Sequence, residues 1–80
     1  MASVTSPVDL RDLPPPQPLE LILNALDQPT PECGYWAFLL PHFPQPLLVH
    51  IEERQLNYRV EVADDYRGVL MLIGRELPAD

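Results

Sequence analysis

Apolar residues fall along this chain in short groups separated by proline, glycine and acidic residues, and each group has its own period. Leu19, Ile22, Leu23 and Leu26 lie at i, i+3, i+4 and i+7, one apolar stripe on a helix of about three turns. Tyr35 to Leu40 is apolar on both alternating faces and is bounded by Gly34 and Pro41, the pattern of a strand inside a sheet rather than at its edge. Leu47, Leu48 and Ile51 return to helical spacing, with Glu52, Glu53 and Arg54 as a wet face and Asn57 as the left-handed stop. Tyr58 to Val62 alternates, which predicts a half-exposed strand with Tyr58, Val60 and Val62 inward. Asp64 to Gly68 has hairpin-turn chemistry, and Val69 to Ile73 is a second two-faced strand. Val8-Asp9-Leu10 is short enough for an opening strand only.

The order is therefore β-α-β-α-β-β. It predicts an α+β domain, a two-layer sandwich with two helices packed on one face of a four-stranded mixed sheet. The first crossover makes the first two strands parallel. Leu23 and Phe38 are the expected centre of the core. Residues 1–7 read as a tail of small and polar residues, 8–75 as the domain and 76–80 as a second tail.

Prolines change how the helices begin. Eleven occur in 80 residues, which excludes long uninterrupted helices. Two clusters, Pro14 to Pro18 and Pro41 to Pro46, each stand directly before an apolar helical stripe. There the missing donors cost nothing, because the first amides of a helix have no intrahelical partner. The first cluster thus has two readings: it fixes a strand-to-helix turn, or it also presents a rigid surface for a partner or ligand.

Charge narrows the partners. All five basic residues are arginine, against twelve Asp and Glu, for a net charge of −7. Such a surface repels phosphate backbones, which argues against nucleic acid as a partner. The first residues carry neither a basic region nor an apolar run, and no stretch nears the roughly 18 apolar residues of a membrane span. A cytoplasmic protein with no membrane association is the resulting expectation.

Candidate chemistry is sparse. Cys33 is the single cysteine, so neither an intramolecular disulfide nor a four-thiolate zinc site is possible. It stands beside Glu32 with no basic residue near in sequence, the opposite of what activates a thiol. His42 and His50 give with Cys33 a spacing that fits no zinc or haem pattern. His42 is nonetheless a candidate ligand contact, set in the second proline loop, while His50 reads as a rim histidine. The neighbouring carboxylates of Glu52-Glu53 and Asp64-Asp65 point to divergent faces, so neither pair forms an acid–base dyad. Nothing calls for a cofactor.

The stretch Val8-Asp9-Leu10-Arg11-Asp12-Leu13-Pro14-Pro15-Pro16-Gln17-Pro18 resembles the opening of TusA-like (SirA-like) sulfur carriers. Those proteins have a Leu-Asp strand, a Gly-Leu turn and Cys-Pro-x-Pro at the first helix. A closer likeness is to the Cys-less branch of that superfamily, a domain of unknown function. That branch reads Leu-Pro-Pro-Pro-x-Pro-Leu, then His-x-Pro-x-Pro-Leu before the second helix. Pro14 to Leu19 and His42-Phe43-Pro44-Gln45-Pro46-Leu47 carry both motifs. The resemblance implies a β-α-β-α-β-β fold over nearly the whole chain. It also implies that both helix entrances follow neighbouring parallel strands and open at one sheet end, where ligands of open α/β sheets bind, with the hairpin at Asp64 to Gly68 far from them. In the sulfur carriers a helix N-terminus favours the thiolate that holds a persulfide. Pro15 occupies that position here, so the persulfide chemistry does not transfer to it. The expectation is a non-catalytic binding or accessory module, joined by the branch's associations to redox or nitrogen-oxide metabolism. Its partner, a protein or small ligand, would be held by Leu13, Pro15, Pro16, Gln17, Pro18, His42, Phe43, Pro44, Gln45 and Pro46. The rivals are a sulfur carrier using Cys33 and a metal or haem binder using His42.

Overall fold

In a computed structural model of the chain, residues 7–78 are described; residues 1–6 of the first predicted tail and 79–80 of the second lie outside that range. The elements are β1 (Val8–Asp9), α1 (Gln17–Leu26), β2 (Tyr35–Leu40), α2 (Leu47–Glu53), β3 (Asn57–Val62) and β4 (Val69–Gly74). This is the β-α-β-α-β-β order, an α+β two-layer sandwich on a mixed sheet of strand order β1-β2-β4-β3. β1 is parallel to β2, and β4 is antiparallel to both β2 and β3. The two apolar-on-both-faces segments, β2 and β4, are the two central strands.

One face of the sheet makes the core. Phe38 and Leu40 of β2 and Met71 and Ile73 of β4 meet Ile22 and Leu26 of α1, Leu47 and Ile51 of α2, and Leu10. Phe38 is 3% exposed and Ile22 fully buried. Leu23, expected beside Phe38, is half-buried and packs on the margin of this cluster. The deepest position of the stripe is one residue earlier because α1 meets the sheet along its Ile22–Leu26 line. Alternation sends Tyr35, Ala37, Leu39, Leu70 and Leu72 to the face away from the helices. On that face Arg59 donates from Nη1 to the Pro78 carbonyl at 2.8 Å, tying the end of the described chain to β3.

Three further expectations are corrected. β3 is an edge strand, and of its three inward residues only Val60 packs against the core, while Tyr58 and Val62 are exposed. An edge strand has neighbours on one side only, so alternation there does not guarantee burial. The left-handed residue after α2 is Gln55 (φ 56°), and Asn57 already begins β3. The hairpin after β3 also lies at the same sheet end as both proline loops. β1 and β2 end there, β3 ends there and β4 begins there.

Candidate functional site

Each proline loop closes its helix entrance with its own carbonyls. The Gln17 amide donates to the Pro14 carbonyl at 3.0 Å and the Leu47 amide to the Pro44 carbonyl at 2.9 Å. Gln45 and Leu48 amides bond to Phe43 and Gln45 carbonyls in the same way. Proline lacks the donor but keeps the acceptor, so these segments satisfy the Gln17, Glu20, Leu47 and Leu48 amides internally. What they offer is apolar surface. Neither helix has a side-chain cap, and the Pro15–Pro16 peptide is cis.

The two loops meet over the end of β2 and enclose a cleft of about 350 Å³. Leu13, Pro15, Pro16 and Pro18 form one wall, and His42, Pro44 and Pro46 the other. Leu19, Leu40 and Pro41 complete the lining. Seven of the residues expected from the sequence are thus brought together. Gln17, Phe43 and Gln45 are exposed and do not line the cleft, since they alternate with residues that do. Leu40 and Pro41 were not anticipated; the end of a buried strand is a natural floor when both flanking loops fold over it. His42 is the one lining side chain with polar atoms, and its Nδ1 is 3.5 Å from the Phe43 carbonyl oxygen.

Pro41 separates this cleft from a polar one of about 470 Å³ lined also by Asp9, Arg11, Asp12, Arg67 and Gly68. Arg11 organises it. Its Nη2 donates to Asp9 at 2.9 Å, its Nη1 to Asp65 at 2.8 Å and to the Arg67 carbonyl at 2.9 Å. One guanidinium thereby clamps the β1 loop to the hairpin. Asp12 lines the same cleft and Asp64 precedes Asp65 in the hairpin, so this rim carries several carboxylates beside Arg11 and Arg67. The Arg11 side-chain hydrogen bond holds the Asp9 carboxyl at about 2, against an ordinary 3.8. Asp65 is also lowered, first by the Arg67 amide and then by Arg11.

Because the folded-state value of Asp9 is depressed, its ion pair contributes fully above about pH 3.8 and is lost as pH falls through about 2. An NMR titration of the Asp9 carboxyl carbon is expected to show a midpoint near 2 in the parent. In Arg11→Gln the midpoint should return towards 3.8. A parent midpoint near 3.8 would mean the clamp does not form in solution.

No family model, curated protein or solved structure matches the chain.

Cys33 lies at the other end of β2, before Tyr35, whereas the cleft opens beyond Leu40. Six strand residues span roughly 20 Å. The thiol is exposed and donates to the Tyr35 carbonyl at 3.2 Å. It therefore does not stand in for a cysteine at the α1 entrance. Among the described residues no three His, Cys, Asp or Glu side chains cluster as metal ligands. His50 is 3.7 Å from Glu53 on α2, at the rim as its spacing suggested. No described helix is long and apolar enough to cross a membrane.

Proposed function

We propose that this chain is a non-catalytic binding module of TusA-like build that takes a small, largely apolar ligand in the proline-walled cleft. The cleft carries the reading: its volume of about 350 Å³ falls in the lower range of small-molecule sites, which are concave, mostly apolar and polar at few points. Its proline walls have little conformational freedom left to lose, so a ligand finds the surface already ordered. His42 would supply the single directional contact, to a hydroxyl or carbonyl on an otherwise apolar body. The motifs shared with the Cys-less branch form both walls, and Pro15 takes the place of the carriers' cysteine. An accessory role in redox or nitrogen-oxide metabolism follows from that likeness. A soluble, cytoplasmic setting fits the same reading.

An amide chemical-shift titration with p-cresol, an apolar ring with one hydroxyl, tests it. Saturable shifts are expected at Leu13, Leu19, Leu40 and His42, weakened in Leu13→Ser. Gly68 should respond as well, since its backbone abuts Leu40. Amides at Cys33 and Arg75, at the opposite sheet end, should stay silent. Uniform small shifts without saturation, or shifts centred on Cys33, would sink the cleft as the site.

A further inference from the structure

The two edges of the sheet are unlike. β1 is two residues long, and short edge strands are one way natural sheets avoid pairing with other chains. β3 is six residues long without proline, pairs among the described residues with β4 on one side only, and leaves Tyr58 and Val62 42% and 64% exposed. Its backbone phase can be read from the hairpin. The Ala63 amide donates to the Gly68 carbonyl at 3.2 Å, and the register runs unbroken from Val62↔Val69 to Asn57↔Gly74. Hydrogen-bonded pairs alternate along an antiparallel ladder. Glu61, Arg59 and Asn57 therefore bond to β4, and Tyr58, Val60 and Val62 turn their amides and carbonyls outward.

We propose that β3 is a homodimerisation edge, at which two copies of this chain pair antiparallel about a twofold axis through Val60. The occupant is chosen by self-complementarity. With Val60 opposite Val60 of the partner subunit, the outward-turned residues meet one another and can exchange backbone hydrogen bonds. Tyr58 then faces the partner's Val62, an aromatic–β-branched pair of the kind that stabilises sheets. Arg59 faces the partner's Glu61, and Glu61 the partner's Arg59, on the side away from the helices. These are the closer, non-hydrogen-bonded positions of the new ladder. Within one chain Arg59 Nε already holds Glu61 at 3.0 Å, so pairing joins two such ion pairs into a ring of four charges.

Competing registers fail on charge. A shift by two residues sets Arg59 against the partner's Arg59 or Glu61 against the partner's Glu61, and like charges directly opposite destabilise a sheet. A shift by one sets outward-turned residues against inward-turned ones and removes the hydrogen bonds. The net charge of −7 on each copy opposes association at low salt and is screened at physiological ionic strength. A single pair of six-residue strands is a small interface, which places the expected Kd at roughly 0.1 mM, among transient complexes.

Sedimentation equilibrium up to about millimolar protein should show a monomer–dimer equilibrium in the parent, with a Kd of roughly 0.1 mM. Arg59→Glu and Glu61→Arg should each weaken it about tenfold, because each sets like charges opposite. Glu61→Arg leaves the Arg59–Pro78 contact in place, so a loss in both variants is assigned to the pairing. Mixing the two variants should restore dimer, as a heterodimer with unlike charges opposite at both positions, and the double exchange should restore the homodimer. A parent that stays monomeric at millimolar concentration overturns the proposal. Single variants that dimerise like the parent, or a mixture no more associated than its components, overturn it too.

Discussion

Phe38→Ala is expected to leave this domain without a cooperative folded state under conditions where the parent is folded. Phe38 is 3% exposed in the middle of β2, on the face where both helices pack. Removing a buried phenyl ring costs about 3–5 kcal/mol, part lost transfer energy and part cavity. A domain of this size has only about 4–12 kcal/mol in total, at the usual stability per residue. Leu23→Ala, at the half-buried margin of the same core, should lower the melting temperature yet keep a cooperative transition. Thermal melts followed by circular dichroism separate the two. Equal melting temperatures for Phe38→Ala and Leu23→Ala would mean that α1 does not meet the sheet along Ile22 and Leu26.

Gly68→Ala is expected to be nearly as damaging, for a backbone reason. Gly68 has φ +102°, a region that residues with a Cβ rarely adopt. A Cβ there would run into the Leu40 carbonyl oxygen and lie 3.2 Å from the Pro41 Cα. Both are backbone atoms, so no side-chain rotation relieves the contact. Backbone strain of this kind costs about 1–3 kcal/mol, and the hairpin must also retreat from the cleft floor. Urea denaturation should show the loss of stability, and the amides of Leu40 and His42 should shift in the variant without ligand. Parent-like stability with unchanged shifts at Leu40 and His42 would show that hairpin and cleft are not in contact.

The cleft was half legible in advance. The two proline clusters marked the segments, and the tolerance of a helix's first turn for proline explained why they could stand there. That Pro15 and Pro44 line one cleft, while Gln17 and Gln45 stay exposed outside it, depends on how two loops distant in the chain fold over Leu40. No local pattern encodes that approach. The Arg11 clamp on Asp65 escaped for the same reason: the two residues are 54 positions apart, and an exposed arginine has no sequence signature of its partner.

By itself the sequence determined the elements. Helical stripes, two-faced strands and turn residues are local signals, set by backbone geometry and by which side chains can be buried at a given period. It likewise determined the absence of sulfur at the α1 entrance, since Pro15 is a matter of composition at one position. The tertiary structure alone decided the strand order β1-β2-β4-β3, and with it that β3 is an edge. Tyr58 and Val62 alternate as convincingly as buried residues do. They remain exposed because burial is a property of neighbours, which are chosen by long-range pairing. The same pairing brought the hairpin to the cleft, where the sequence had set it apart: distance along a chain does not measure distance across a sheet whose strands begin and end together.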